Sequence, residues 1–217
     1  MIFTVNGAAK TFDIQHLIIA GWTARDMASV QEHIDELAEI GVAPPSTVPL
    51  FYRASNLLVT QASQVEVLSA DTSGEVEPLI IKADGKLYLG IGSDHTDRKL
   101  EAYSVAHSKQ VSAKPVSTEL WDFSEVADHL DDLTIESWVD EGEGWVQYQK
   151  GSLAKIRPLT ELIEKGNLLD GSAMLCGTCP AIGGVRRTEK FKMSIHDPIL
   201  NRTISCEYLS KELPIVS

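Results

Sequence analysis

Hydrophobic and polar residues alternate over much of this chain, which is typical of β-strands with one buried face. The alternation predicts strands at residues 57–60, 65–68, 75–81, 86–91, 134–139, 144–149, 191–195 and 204–209. Asn6-Gly7 and Asp84-Gly85 lie between apolar positions, and these dipeptides favour two-residue hairpin turns. The pattern therefore predicts a mainly β protein.

One long segment has helical periodicity instead. Apolar residues recur there at steps of three and four, at Met27, Val30, Ile34, Leu37 and Ile40. The spacing predicts a helix over residues 24–40, capped by Thr23 and ended by Gly41. Shorter helices are predicted at residues 124–130 and 159–164. Pro44-Pro45 suggests a linker, so residues 1–48 are expected to form an N-terminal hairpin and lid helix. Residues 49–217 are then a β domain within the same folding unit.

The charge of the chain narrows the classes of partner. Its 217 residues include 19 Lys and Arg and 31 Asp and Glu, so the net charge is −12. Such a surface repels nucleic acids and anionic membranes, and neither is expected as a partner. The start of the chain lacks signal-peptide character, no apolar run reaches membrane-spanning length, and there are only three cysteines. We therefore expect a cytoplasmic protein.

Three carboxylates form the first candidate site. Glu75 and Glu77 are two residues apart in a predicted strand, so their side chains point to one face. Asp94 follows the next strand and is expected at the same end. Oxygen ligands at this density suit Mg²⁺, Mn²⁺ or Ca²⁺. The alternative is a solvated acidic face.

Two further patterns carry possible chemistry, each with a simpler alternative. His33 and Glu36 are three apart on the predicted helix, where a Glu can orient an imidazole that acts as a general base. They are otherwise an exposed helix pair. The Cys176-x-x-Cys179 sequence lacks the setting of a redox or zinc motif. With Thr178 it better suits a tight loop that offers backbone N–H groups to an anion.

Three isolated cations complete the candidates: Arg53, Arg98 and Lys114. Each alone is typical of a surface charge or a structural salt bridge. Together they are suited to binding a small carboxylate.

Taken in chain order, five segments resemble the fumarylacetoacetate hydrolase family. They are Pro49-Leu50-Phe51-Tyr52-Arg53, Glu75-Val76-Glu77, Gly92-Ser93-Asp94-His95-Thr96-Asp97-Arg98, Ala113-Lys114, and Leu175-Cys176-Gly177-Thr178-Cys179-Pro180-Ala181-Ile182-Gly183. His33 and Glu36 are similar to the family's lid dyad. The resemblance runs from about Pro49 to the C-terminus.

The resemblance implies a mixed β-roll, here with α/β elements and an N-terminal helical arm, that forms a homodimer. It implies Mg²⁺ or Mn²⁺ held by Glu75, Glu77 and Asp94. It also implies that the substrate is a small 2-oxo acid. The implied catalytic residues are His33, Glu36 and Lys114, and the implied substrate-binding residues are Arg53, Arg98, Gly177 and Thr178.

Three functions follow from this resemblance, in order of preference. The first is a metal-dependent hydrolase or lyase that acts on a C–C bond of an acylpyruvate or an oxaloacetate-like acid. The second keeps the metal but is a hydratase, dehydratase or tautomerase of a similar acid. The third is a β-roll that binds a ligand without catalysis.

Overall fold

The computed structural model describes residues 1–39, 43–187 and 189–216, and within the first helix it leaves the side chains of His33, Glu36 and Leu37 undescribed. Strands predominate, as the sequence pattern predicts. In chain order the strands are β1 Ile2–Val5, β2 Ala8–Thr11, β3 His16–Gly21, β4 Leu50–Ala54, β5 Val59–Thr60, β6 Gln64–Val67, β7 Thr72–Ser73, β8 Val76–Ala83, β9 Lys86–Ser93, β10 Thr96–Asp97, β11 Lys114–Pro115, β12 Glu119–Asp122, β13 Thr134–Asp140, β14 Trp145–Ser152, β15 Ser172–Leu175, β16 Lys190–Asp197 and β17 Arg202–Glu212.

The helices are short by comparison. They are α1 Met27–Glu39, α2 Arg98–Tyr103, α3 Val105–Gln110 and α4 Leu159–Lys165, with 3-10 turns at Asn56–Leu58, Phe123–Glu125, Leu130–Asp132 and Leu153–Lys155. None of the helices in the described parts of the chain has both the length and the apolar character that a membrane crossing requires.

Two mixed sheets dominate the described residues. The larger has eight strands in the order β2-β1-β12-β9-β8-β15-β3-β4, and the smaller has five in the order β14-β13-β16-β17-β6. Ile80 from the large sheet and Ile195 from the small sheet belong to one apolar core between them. Leu79 and Ile81 alternate with Ile80 and pack in a second core on the other face. The central strands are thus buried on both faces.

The N-terminal segment contributes strands as well as a helix. β1 and β2 form the hairpin predicted at Asn6-Gly7, with both turn residues at positive φ, and β3 pairs with β15 and β4 in the large sheet. The expected N-terminal helical arm is therefore not shown, because within the described residues this segment adds three strands to the large sheet and has α1 as its helix. Its predicted end at Ile40 and Gly41 lies outside the described residues.

Local boundaries differ from several predictions. Helix α1 begins three residues later than expected because Asp26, and not Thr23, accepts hydrogen bonds from the backbone of Ala28 and Ser29. Thr23 is instead buried. Residues 57–60 begin as a 3-10 turn capped by the Ser55 hydroxyl. Residues 124–130 form no α-helix, since two 3-10 turns occupy this region.

Candidate metal centre

Three carboxylates converge at one end of the β8–β9 hairpin, opposite its Asp84-Gly85 turn. Glu75 immediately precedes β8, Glu77 lies in it, and Asp94 directly follows β9. The strand register pairs Glu77 with Gly92, which brings Asp94 beside the two glutamates. One oxygen from each residue lies within 4.8 Å of the other two. Glu77 and Asp94 are buried, whereas Glu75 is half-buried.

Basic side chains surround this triad of Glu75, Glu77 and Asp94. Lys109 Nζ contacts Asp94 Oδ2 directly, and Lys114 Nζ lies 3.1 Å from Asp94 Oδ1. Arg98 lies 3.0 Å from Glu75. The buried negative charge is therefore matched in large part by neighbouring positive charge.

Arg98 is held in place by three different groups. Besides Glu75, its guanidinium binds Glu101 at 2.9 Å and the Ser73 hydroxyl at 2.7 Å. Its side chain and that of Glu75 each retain about a fifth of their exposure. This edge of the centre is consequently more open than the Asp94 side.

The carboxylates differ in how easily they ionise. Burial, reinforced by Asp94 and Glu75, raises the pKa of Glu77 well above its usual value. Burial also acts to raise the pKa of Asp94, but Lys109 and Lys114 outweigh it and hold that pKa well below its usual value. Asp94 is therefore ionised, while Glu77 lacks a cation close enough to offset its burial.

The loop after β15 closes over the acidic strand. Gly177 donates its backbone N–H to Glu77 Oε2 at 2.8 Å. Thr178 donates its hydroxyl to the carbonyl of Val76 at 2.7 Å and accepts from Gln149 Nε2 at 2.8 Å. The two predicted substrate-binding residues of this loop thus contact the metal-ligand segment itself.

Gln149 and Lys109 were not identified from the sequence. The buried Gln149 accepts from the Val76 N–H at 3.0 Å and so fixes the residue between the two glutamates. Lys109 lies on α3, a helix of six residues that is too short to leave a periodic pattern. Its only signal was its position five residues before Lys114.

Arg53 lies away from the triad. It is exposed on β4 and donates to the Gly166 carbonyl at 3.1 Å, beside an open cavity of about 360 Å³. Its neighbour Tyr52 is the residue that faces Lys109, with Nζ 5.7 Å from the ring centre. Since successive strand residues point to opposite faces, Arg53 points away from Lys109.

The predicted acid–base pair lies on α1. The backbone of His33 and Glu36 is helical, but their side chains are outside the described residues. Their role as a catalytic dyad therefore stays a prediction.

The cysteines form no disulfide. Cys176 and Cys179 are buried free thiols, and burial raises the pKa of both, that of Cys179 to about 11. Within the parts of the chain that are described, the candidate metal-binding group contains carboxylates and no cysteine. Thiols that resist ionisation suit neither redox exchange nor zinc ligation.

A cleft of about 280 Å³ lies near the open edge of the centre. Leu50, Tyr52, Tyr103 and Val105 give it a largely apolar lining. Glu101, the partner of Arg98, also lines this cleft. The cleft and the carboxylates are thus connected through Arg98 and through the Tyr52–Lys109 contact.

Solved structures with this fold were found at low sequence identity. A hexagonal crystal form of 2-keto-3-deoxyarabinonate dehydratase has a TM-score of 0.64, at 18% identity over 95% of this chain and 76% of that chain. The same enzyme complexed with magnesium and 2,5-dioxopentanoate has a TM-score of 0.63, at 17% identity over 94% and 75%. Cg1458 with an inhibitor has a TM-score of 0.62, at 15% identity over 93% and 78%.

These structures have the fold of the fumarylacetoacetate hydrolase superfamily, so the fold that the sequence resemblance implies is supported. No curated protein matches the sequence. Residues 20–208 match one family model, described as "Protein of unknown function (DUF2848)". Because that match covers most of the chain, the protein belongs to the DUF2848 family.

Proposed function

We propose that this protein is a metal-dependent enzyme that acts on a small 2-oxo acid and removes or adds water. The observation that carries the proposal is the convergence of Glu75, Glu77 and Asp94 within 4.8 Å of one another. C–C bond hydrolysis, the first preference from the sequence, becomes the second candidate. The reason is that the neighbouring structures include a dehydratase complexed with magnesium and a dioxo acid.

The residues present fit a hard divalent cation. All three potential ligands supply oxygen, which Mg²⁺ and Mn²⁺ prefer over nitrogen or sulfur. The raised pKa of Glu77 is a second sign of fit, because a nearby cation would offset the burial of its ionised form. A bound Mg²⁺ would supply a Lewis acid that polarises the oxygens of the 2-oxo acid.

Three cationic side chains of the protein would act on the substrate or on the carboxylates. Lys109 keeps 7% of its exposure and contacts the ring of Tyr52, which lines the cleft, so we propose that its ammonium meets the substrate's negative charge. Lys114 is fully buried between Asp94 and the His95 carbonyl, so its charge acts on Asp94. Arg98, held by Glu75 and Glu101, would orient the substrate carboxylate.

Dehydration needs one proton removed and one added. In a 2-oxo acid with a hydroxyl at C4, a base takes the C3 proton and the C4 hydroxyl leaves as water after an acid protonates it. His33 and Glu36 are the proposed pair for these transfers, on the resemblance stated above. The largely apolar lining of the cleft favours a substrate whose distal end is uncharged.

The first experiment measures metal binding. We expect wild-type protein to bind Mn²⁺, followed as loss of the free-ion paramagnetic resonance signal, and oxalate to tighten that binding because it mimics a 2-oxo acid enolate. Glu77→Gln should weaken Mn²⁺ binding at least tenfold, since it removes a charged oxygen ligand. Glu136→Gln changes a half-buried glutamate of β13 that pairs with Lys150 outside the centre, and should bind like wild type.

The second experiment distinguishes the reactions. With Mg²⁺ present, a 3-deoxy-2-oxo sugar acid should lose water without releasing pyruvate. Pyruvate release from acetylpyruvate would instead favour C–C hydrolysis. If wild-type protein binds no Mn²⁺ at millimolar concentration, the metal-dependent proposal is wrong and the non-catalytic β-roll takes its place. The homodimer and the cytoplasmic location remain predictions.

A further inference from the structure

A tyrosine from the opposite sheet lies at the point where the two ligand-bearing segments meet. Tyr208 belongs to β17 of the five-stranded sheet and is buried. Its hydroxyl lies 2.8 Å from Ser93 Oγ and 2.8 Å from His95 Nδ1. These two residues flank Asp94, so the phenol holds the backbone on both sides of that carboxylate.

The same hydroxyl is linked to the segment that carries Glu75. Ser93 Oγ accepts a hydrogen bond from the Glu75 N–H at 3.2 Å. A Cβ atom on Gly74 would lie only 2.5 Å from the Tyr208 hydroxyl oxygen, so the phenol packs directly against this backbone. Asp94 N–H in turn donates to the Glu75 carbonyl at 3.0 Å. Tyr208 therefore contacts both of the segments whose separation sets the spacing of the ligands.

The contacts leave little freedom for this arrangement. A buried hydroxyl costs free energy unless it is hydrogen-bonded, and two partners satisfy this phenol. His95 is fully buried, and its Nε2 has no hydrogen-bond partner in the described chain. The hydrogen bond between Tyr208 and Nδ1 consequently anchors the His95 ring. The centres of the two rings are 5.7 Å apart.

We propose that Tyr208 is a positioning residue, which sets the separation of Glu75 and Asp94 through Ser93 and His95 and thereby sets the affinity of the centre for a divalent cation. The inference rests on the proposed function, because it assumes that the triad binds metal. Groups that hydrogen-bond to metal ligands without binding the metal themselves typically lower metal affinity by about 10- to 100-fold when they are removed. The anchor comes from the second sheet, so the centre depends on packing of the two sheets.

The test is a Mn²⁺ titration of Tyr208→Phe, Ser93→Ala and the double variant, with wild type alongside. Tyr208→Phe keeps the ring and removes only the hydroxyl, and we expect it to weaken Mn²⁺ binding about tenfold. Ser93→Ala should have a similar effect. The double variant should bind no more weakly than the weaker single variant, since both changes break one connected network.

Tyr148→Phe is the matched control. Tyr148 is also buried, its ring packs edge-on against the same Phe191, and its hydroxyl accepts from the Arg186 N–H, away from the carboxylates. It should change Mn²⁺ affinity less than twofold.

The outcomes separate the two proposals. If wild type binds Mn²⁺ and Tyr208→Phe binds equally well, the positioning role is wrong and the proposed function stands. Equal weakening by Tyr148→Phe, or fully multiplicative losses in the double variant, would also overturn the positioning role. If wild type binds no Mn²⁺, both proposals are wrong. Should Tyr208→Phe fail to fold, the Ser93→Ala titration decides alone.

Discussion

Gly177 illustrates how one residue without a side chain shapes the centre. Its φ of +96° is unfavourable for other residues, and an added Cβ atom would overlap the Thr23 hydroxyl. The same residue donates its N–H to Glu77. The close approach of Thr23 therefore fixes the loop where it contacts a candidate metal ligand.

We predict that Gly177→Ala destabilises the protein by about 2–5 kcal/mol, because left-handed strain adds to a clash in a packed site. Chemical denaturation would measure the change in the free energy of unfolding. Gly144→Ala is the control, since Gly144 has a similar φ of +110° but nothing within 4 Å of an added Cβ. Gly144→Ala should lower the free energy of unfolding by about 1 kcal/mol, because only the backbone strain remains. Equal losses would show that the Thr23 contact is unimportant.

Single residues were predictable where a local period determines the face on which they lie. Glu75 and Glu77 share a face because strand side chains alternate, and the Asp84-Gly85 turn returns the chain to Asp94. Arg53 shows the limit of a motif match. Leu50–Ala54 forms β4, and this strand directs Tyr52, and not Arg53, toward Lys109.

At the scale of elements, strands with one exposed face were predicted well, whereas buried strands were predicted only in part: β8 and β9 were predicted, with the Asp84-Gly85 turn between them, and β3 was missed. β13 and β16 alternate between buried and half-buried residues, and both were predicted. β3 was missed because residues 17–20 are all buried, which leaves no alternation to detect. A short continuous apolar run does not distinguish a buried strand from a buried helix.

The helices that shape the centre were missed for a different reason. α2 and α3 have six residues each, less than two turns, so neither shows a hydrophobic period. Their N-cap residues could be recognised in the sequence. The side chains of Asp97 and Ser104 accept backbone hydrogen bonds at the N-termini of α2 and α3. α3 places Lys109 in contact with Asp94. Because this helix was not predicted, the role of Lys109 was not predicted either.

The contact between Lys109 and Asp94 leads to a prediction about metal affinity. Lys109→Met keeps the buried stem but removes a positive charge that contacts Asp94 and that a divalent cation would have to approach. We expect Mn²⁺ affinity to rise about tenfold, or about 1.4 kcal/mol, which is less than the ~4 kcal/mol of interaction between two unit charges about 4 Å apart at an effective dielectric constant of about 20. Turnover of a 2-oxo acid should fall, because the proposed partner of the substrate is lost.

Lys192→Met provides the control for net charge. Lys192 lies over the rings of Trp138 and Trp145 in the five-stranded sheet, with Nζ 5.1 and 4.9 Å from their centres. Its loss changes the total charge equally but should leave Mn²⁺ affinity unchanged. A weaker Mn²⁺ affinity in Lys109→Met would mean that the lysine holds Asp94 in place and does not compete with the cation.

At the scale of the whole molecule, the centre depends on contacts that are distant in sequence. Gln149 and Tyr208, both from the five-stranded sheet, reach the segments that carry Glu75 and Asp94. Neither residue belongs to a local pattern, and no spacing rule brings them near the β8–β9 hairpin. The sequence therefore indicated the candidate ligands and some groups that contact them, such as Arg98 and Lys114, but neither Gln149 nor Tyr208.

Because both sheets support the centre, metal binding should stabilise the entire fold. A cation that binds only the folded chain adds about 2.7 kcal/mol at 100 times its Kd. For a chain of 217 residues this corresponds to a rise in Tm of about 5–10 °C. Thermal unfolding with saturating Mg²⁺ and with a chelator would measure it.

Two variants test whether the rise in Tm comes from Mg²⁺ bound at the three carboxylates. Glu136→Gln should show the wild-type increase. Glu77→Gln has the same net charge but should show at most about half of that increase, because a tenfold weaker site adds only about 1.4 kcal/mol at the same Mg²⁺ concentration. Equal increases in both variants would mean that Mg²⁺ screens the acidic surface of a chain with net charge −12. In that case the stabilisation would not come from the three carboxylates of the centre.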